Sequence, residues 1–470
     1  MSLPSSLRRL LKTLPLALLM SGWVHAQSSP GASAPKDAAG GMEVKHVDLS
    51  RNPVSTIPSS CFWIGALTRR EPALNILYPD ADVTYWVSQF RLPPGARLRL
   101  SGEYPHARYI AFTAYNSMGS PTDGVNDQAL QPEPGSTNPF VVGHDRGTAK
   151  RHYVLNILNQ SAPADTQSRL ANTLYARADE SMIQLYYRVY VPDRGLNVAG
   201  GVGLPQAELV QADGSVLAGD ALCQQLVVST GAVRDRAMPR DKYQAMLKRP
   251  GVPPTFPALP SPKWEVILNP ALTLSKLTLA GTPDGDQQRL QMDQTRRGGQ
   301  YPTLDNRYML MYIDRRLGPV LTLQAQLPTT PATRSGVGRM GDGQLRYWSL
   351  CFNRSLADTS VDDCLADEDV TLDAHRRYTI LVSRPEDRPA NARPECGVTW
   401  LNWGALGDGA GNRDGGFLMI RNMLPAPDFK QSIFDIQRIT DEESALGPYY
   451  PKPVYQSKDA FEERGCDSRS

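Results

Sequence analysis

Tyr85–Pro105 reads YWVSQFRLPPGARLRLSGEYP, Tyr308–Pro328 reads YMLMYIDRRLGPVLTLQAQLP, and the second stretch repeats the first. Gly95, Leu98, Leu100 and Pro105 fall on Gly318, Leu321, Leu323 and Pro328 at a constant offset of 223 without a gap. Self-similarity of this kind outranks every other signal in a fold assignment. The order continues downstream. Arg108-Tyr109 with Phe112 and Asn116 matches Arg346-Tyr347 with Leu350 and Asn353, Arg151 and Tyr153 match Arg377 and Tyr378, and Tyr187-Arg188 before Pro192 matches Ile420-Arg421 before Pro425. Each matched block is short, alternates apolar with polar residues and ends at Pro, Gly or Asn, the signature of a half-buried strand. IQLYYRVYV and GFLMIRNML are the most regular. Short strands separated by turn-rich loops favour antiparallel sandwiches over a parallel sheet, which needs helices between its strands. The expected fold is mainly β, with two related antiparallel, jelly-roll-like sandwich lobes from an internal duplication and few helices.

The chain opens with Arg8, Arg9 and Lys12, an apolar run from Leu14 to Val24 and a small residue at Ala26. This is the pattern of a cleavable secretory signal peptide, placed at 1–26. Pro15, Ser21 and Gly22 interrupt the run, so no membrane anchor is expected after cleavage. A Ser-, Gly-, Ala- and Pro-rich leader follows at 27–45. With 41% hydrophobic and 21% charged residues, the remainder has the composition of ordinary globular proteins. Losing the signal removes three positive charges from a formal net charge of +2, which leaves −1. That balance argues against a nucleic-acid partner, because phosphate backbones demand a basic excess.

The first lobe is placed at 60–232, a Pro-rich linker or arm at 233–300, the second lobe at 301–430 and a C-terminal tail at 431–470. Within the arm, a helix is expected around Asp241–Lys248, and PGVPPTFPALPSP lacks the donors a strand requires. Cys61, Cys223, Cys351, Cys364, Cys396 and Cys466 are an even set without a C-x-x-C pair, so disulfides are expected rather than structural zinc. At least one bridge should fall within the segment holding Cys351, Cys364 and Cys396.

The second half carries Tyr347-Trp348-Ser349-Leu350, then RRYTILVS, Trp400 and Trp403, and Arg421 followed by Pro425 and Pro427. In these it resembles the bacterial β-sandwich domain family of unknown function numbered 1214, usually paired with the family numbered 1254. The resemblance covers about the last third of the chain and implies a jelly-roll-like sandwich with no established reaction. Cys351 stands where the pattern has threonine. The segments ARYIAFTAYN and GSTNPF also resemble those of uncharacterised exported bacterial proteins.

No nucleophile elbow, S-x-x-K pair or metal-binding histidine spacing is present, so catalytic residues and cofactor are left unassigned and no metal site is expected. Two groups are candidate ligand-binding residues. Pro121–Gly147 reads as one long polar loop, and His144 and Asp145 with Asp123 and Asp127 are expected to line a pocket near the lobe interface. In RPECGVTWLNWG, Trp400 and Trp403 offer rings able to stack on sugar faces. The acidic run Asp362, Asp363, Asp367, Glu368 and Asp369 reads as a solvated loop, and DGAGNRDGG as a hairpin loop. These readings point to an exported binding protein, periplasmic or secreted, whose partner is a small molecule, a glycan or another envelope component. The alternatives are a hydrolase or metal-dependent enzyme with its site between the lobes, and a structural envelope protein.

Overall fold

The computed structural model describes residues 46–47, 60–63, 65–116, 119–177, 182–229, 233–234, 237–299 and 301–466. The expected signal peptide and leader lie outside the described residues. The strands are β1 (His46–Val47), β2 (Gly65–Leu67), β3 (Val83–Phe90), β4 (Arg97–Glu103), β5 (Ala107–Tyr115), β6 (Pro121–Asn126), β7 (His152–Leu158), β8 (Thr173–Tyr175), β9 (Ile183–Pro192), β10 (Gln206–Val210) and β11 (Val216–Ala218). They continue with β12 (Val233–Arg234), β13 (Glu265–Val266), β14 (Asn306–Asp314), β15 (Val320–Gln326), β16 (Leu345–Asn353), β17 (Val361–Ala366), β18 (Arg377–Ser383), β19 (Val398–Asn402), β20 (Gly415–Pro425) and β21 (Lys452–Gln456).

The duplication is visible strand by strand. One lobe has an inner sheet β2-β3-β9-β5-β6 and an outer sheet β11-β10-β4-β7-β8; the other has β13-β14-β20-β16-β17 and β21-β15-β18-β19. β3 and β14 hold the same sheet position, as do β4 and β15, which carry the two matched stretches. In both outer sheets the last strand runs parallel to its neighbour, β8 to β7 and β19 to β18, so these sheets are mixed. Gly95 and Gly318 precede the corresponding strands for different reasons. Gly95 sits at φ +74°, whereas a Cβ on Gly318 would meet the Cβ of Tyr455 at 2.8 Å. Register moves two of the sequence matches by one residue. Tyr153 and Tyr378 do correspond, opposite Gly102 and Ala325, but the partner of Arg151 is Arg376: their carbonyls accept from the amides of Tyr104 and Leu327. Asn353 likewise corresponds to Tyr115, because Arg108-Tyr109 and Arg346-Tyr347 are paired without a gap.

Alternation builds the outer sheets. Leu98 and Leu100 point inward and are fully buried, while Arg97 on the other parity is exposed. β5, β9, β16 and β20 depart from the half-buried expectation, since nearly every residue in them is buried. The cause is a four-layer stack. Phe112, Tyr187 and Val189 face the first lobe's core and Leu350, Leu418 and Ile420 face the second, while Tyr109, Ala111 and Tyr190 meet Tyr347, Cys351 and Met423 across the seam between inner sheets.

The arm lies over the second lobe, where Tyr243, Phe256 and Leu277 pack on Leu310, Tyr312 and Phe417. It holds more structure than the one expected helix: α2 (Arg240–Leu247), α3 (Pro270–Thr278) and α4 (Gly285–Leu290) follow α1 (Gly219–Gln225) of the first lobe, and β13 joins the inner sheet. The tail contributes β21 to the outer sheet, then α5 (Glu442–Leu446) before it and α6 (Lys458–Glu462) after it.

The bridges are Cys61–Cys223, Cys351–Cys364 and Cys396–Cys466. The second links directly opposed residues of β16 and β17, and the third pins the tail. We expect thiol titration of the folded protein to find no reactive thiol, and six after reduction in denaturant. Removing Cys351–Cys364 by paired alanine substitution should lower the unfolding free energy by about 3 kcal/mol, read from urea titration.

Candidate functional site

The seam is built from residues that the repeat placed in pairs. Arg108 and Tyr109 of β5 correspond to Arg346 and Tyr347 of β16, and each pair reaches into the opposite lobe. Arg108 Nη1 donates to both carboxylate oxygens of Asp367 at 2.6 Å, and its Nη2 reaches Glu368. The mirror contact is looser: Arg346 Nη1 stands 3.5 Å from Asp127. Tyr109 Oη donates to Asp305 at 2.7 Å and Tyr347 Oη to Asp80 at 3.2 Å. The acceptors are fixed by equivalent amides, Ile110 N–H on Asp127 and Trp348 N–H on Asp367, both at 3.0 Å. The result is a pseudo-two-fold set of exchanged bonds, the arrangement of an isologous interface.

A second mirrored pair lies in β9 and β20. Arg188, opposite Tyr85, donates to Thr113 Oγ1 at 3.0 Å and Tyr115 Oη at 2.5 Å, with the rings of Tyr85, Tyr115 and Tyr186 5.2–5.5 Å from its guanidinium. Arg421, opposite Tyr308, donates to Cys351 Sγ at 3.1 Å and to the Tyr78 carbonyl at 2.9 Å, and stands 3.4 Å from Asp80. Cys351 thus fills the place of Thr113, and Cys364 that of Gly124. Asp80, Cys351 and Cys364 bring candidate ligand atoms within 4.8 Å of one another. Both sulfurs are committed to the bridge and Arg421 already supplies the cation, so the set does not hold a metal.

Burial dominates the protonation of these groups. It pushes Asp127 up to about 7, against the opposing pull of Arg346 and the Ile110 amide. It also raises Asp367, although Arg108 opposes the shift, and holds the Tyr109 and Tyr347 hydroxyls well above their ordinary range.

The sequence candidates are dispersed, which corrects the expectation of one pocket. Pro121–Asn126 is strand β6, not loop. Asp123, on that strand, accepts from Arg169 at 2.6 Å and the Tyr175 amide at 2.8 Å within its own lobe. Asp127 is buried in the seam, whereas His144 and Asp145 are exposed. Their own loop holds both, through His144 Nδ1 with the Asn138 carbonyl and the Gly147 amide on Asp145. This loop does straddle the lobes: Gly143 N–H donates to Met340 O and Arg146 N–H to Gly338 O. Trp403 is buried in the second core, and Trp400 is half-buried with Arg388 4.4 Å over its ring. The acidic run is only partly solvated: Asp367 is buried against Arg108 and Asp362 pairs with Arg354, while Glu368 and Asp369 are exposed, the latter paired with Arg334. In DGAGNRDGG, Asp408 accepts from the amides of Ala410 and Asn412, a capped turn. Beside it a small cavity of about 10 Å³, enough for one water, is lined by Tyr243, Tyr312, Ser355, Asp408 and Asn412.

The seam groups were missed because arginine on an alternating strand reads as a solvent-facing residue. The signal was the recurrence of Arg-Tyr and of Arg188 and Arg421 at matched positions in both halves.

No family model matches the chain, and no curated protein matches it. Among solved structures, it is similar to an uncharacterised protein from Burkholderia cenocepacia, at 12% identity and a TM-score of 0.46, over 89% of this chain and 87% of that one. The VPA0106 protein from Vibrio parahaemolyticus is similar at 11% identity and a TM-score of 0.35, over 81% of this chain and 90% of that one.

Proposed function

We propose that the protein is an exported binding protein of the bacterial envelope, with a glycan or another envelope component as its ligand. The observation that carries this reading is the pairing of all six cysteines into three bridges, which suits an oxidising compartment. Among the described residues, no helix is long and apolar enough to cross a membrane. The rival enzyme reading needs an open cleft between the lobes, and the seam side chains are buried against one another instead. The glycan-facing group we favour is Trp400 with Asn402 and Arg388, at the edge of the second outer sheet, where a half-exposed indole meets polar neighbours.

The test is retention of the mature protein on isolated envelope fractions, purified peptidoglycan sacculi and membrane vesicles in parallel. Saturable retention on one fraction is expected, with Trp400→Ala weakening retention on sacculi by about tenfold, equivalent to about 1.4 kcal/mol. No saturable retention on either fraction would remove the binding reading and favour a structural envelope role.

A further inference from the structure

Three arginines, from the arm, β14 and the tail, gather about residues 433–438, and each hydrogen-bonds only main-chain carbonyls. Arg296, at the end of the arm, donates from Nη2 to the carbonyls of Ile433 and Ile436 at 3.3 and 2.5 Å. Arg307, near the start of β14, donates to the carbonyls of Leu304 and Asn306 at 2.8 Å, and its guanidinium lies 4.6 Å over the ring of Phe434. Arg438, two residues beyond Ile436, donates to the Leu290 carbonyl at 3.4 Å. Register explains why the first two meet. Arg307 is opposite Asn422 on β20, and the Asn422 side chain accepts the Ile433 amide, so the turn is held against the strand pair that carries Arg307.

No carboxylate forms an ion pair with any of the three among the described residues. The nearby acids are otherwise engaged: Asp293 with Arg297, Asp435 with Ser432, and Asp305 with the Tyr109 hydroxyl. Arg296 Nη1 and Arg307 Nε are buried without a hydrogen-bond partner, while both side chains as a whole remain half-exposed. Some part-buried arginines elsewhere have acids, Arg289 with Glu265, Arg315 with Asp387 and Arg354 with Asp362, while Arg151 and Arg249 bond only carbonyls as these three do. Burial, with the neighbouring charge of Arg307, depresses the Arg296 guanidinium to about 10. Two partly desolvated cations side by side, offset by Asp305 near Arg307 and by no ion-paired acid, leave a demand for negative charge.

We infer that Arg296, Arg307 and Arg438 form a binding site for an oxyanion of the phosphate class, borne by a free phosphate ester or by a lipid headgroup. The fork geometry of guanidinium suits phosphate oxygens, and the anion replaces the missing acid. The site is distinct from the Trp400 surface and does not depend on the glycan reading.

The experiment uses the mature full-length protein and inorganic phosphate, titrated by calorimetry at low ionic strength. Saturable binding is expected, weakened at least about tenfold in Arg296→Gln and in Arg307→Gln. Arg438→Gln, whose side chain is exposed, tests the site without touching packing and should weaken binding about threefold or more. Sedimentation with phosphatidylglycerol vesicles, against phosphatidylcholine vesicles, separates the sources. Retention on the anionic vesicles alone, lost in Arg438→Gln, assigns a headgroup; phosphate binding without such retention assigns a soluble ester. Absence of saturable phosphate binding by the wild type, or affinity unchanged in Arg438→Gln and in folded Arg296→Gln, overturns the inference. Loss of sacculus binding by Trp400→Ala bears only on the other reading.

Discussion

Arg108→Ala is expected to lower the unfolding free energy by about 3–5 kcal/mol, because it leaves the Asp367 carboxylate buried without its cation. The side chains of Arg108 and Asp367 have no solvent exposure, and the guanidinium also serves Glu368 and Thr333. Truncation removes both charge-assisted bonds and the cation–π contact with Tyr347 together. The mirror substitution separates geometry from position. Arg346→Ala should cost less, since Asp127 stands 3.5 Å away and, with its proton affinity already raised, can respond by protonating. Replacing Arg108 and Asp367 together by apolar residues of similar volume should recover much of the loss, as such pairs repay little net energy beyond their own desolvation. Urea titrations of the single and double variants give the coupling directly. A loss below about 1 kcal/mol in Arg108→Ala would show that the pair does not join the lobes.

What sequence reasoning reached, and where it stopped, follows from what periodicity encodes. The offset of 223 placed β3–β4 and β14–β15 in equivalent sheets because strand alternation and turn residues are local properties. Pairing between lobes is not local. Period-2 alternation says that β9 has two faces, yet cannot say that Arg188 and Tyr190 face another lobe rather than water. The fully buried strands were therefore read as half-buried, and the acidic run around Cys364 as solvated. Asp123, Asp127, His144 and Asp145 were grouped because they are close in sequence. A strand intervenes, and β6 carries Asp123 to a neighbour in its own lobe while the chain beyond it delivers Asp127 to the seam. Trp400 and Trp403 lie three residues apart, on opposite sides of the exposure divide. The Arg296, Arg307 and Arg438 cluster has no sequence signal at all, since its members come from the arm, β14 and the tail. Of the disulfides, only a bridge within the segment holding Cys351, Cys364 and Cys396 was legible, since sequence spacing leaves the pairing itself open.

Stability is expected to fall as pH rises from about 4 to about 7, and Asp127 is the group responsible. Its ordinary value is 3.8, and in the folded protein burial raises it to about 7. Across that window the native state keeps a proton that the unfolded state has released, so proton linkage favours folding at the acidic end and that contribution disappears through pH 7. The shift corresponds to about 4 kcal/mol at most, at 1.36 kcal/mol per unit. Asp367, Asp408 and Glu442 are also raised by burial and add to the same slope, while His106, lowered from 6.5 by burial, opposes it; Asp213, Asp293 and Asp373 are lowered by hydrogen bonds and act only below pH 4. The difference between wild type and Asp127→Asn isolates one group. Asparagine holds a neutral side chain at every pH and keeps an oxygen for the Ile110 amide, so the variant should match the wild type near pH 4 and exceed it by a margin that grows up to about pH 7. Urea midpoints between pH 4.5 and 8.5 provide the measurement. Parallel profiles for the two proteins would mean that Asp127 stays ionised throughout, and that Arg346, despite its distance, compensates the buried charge.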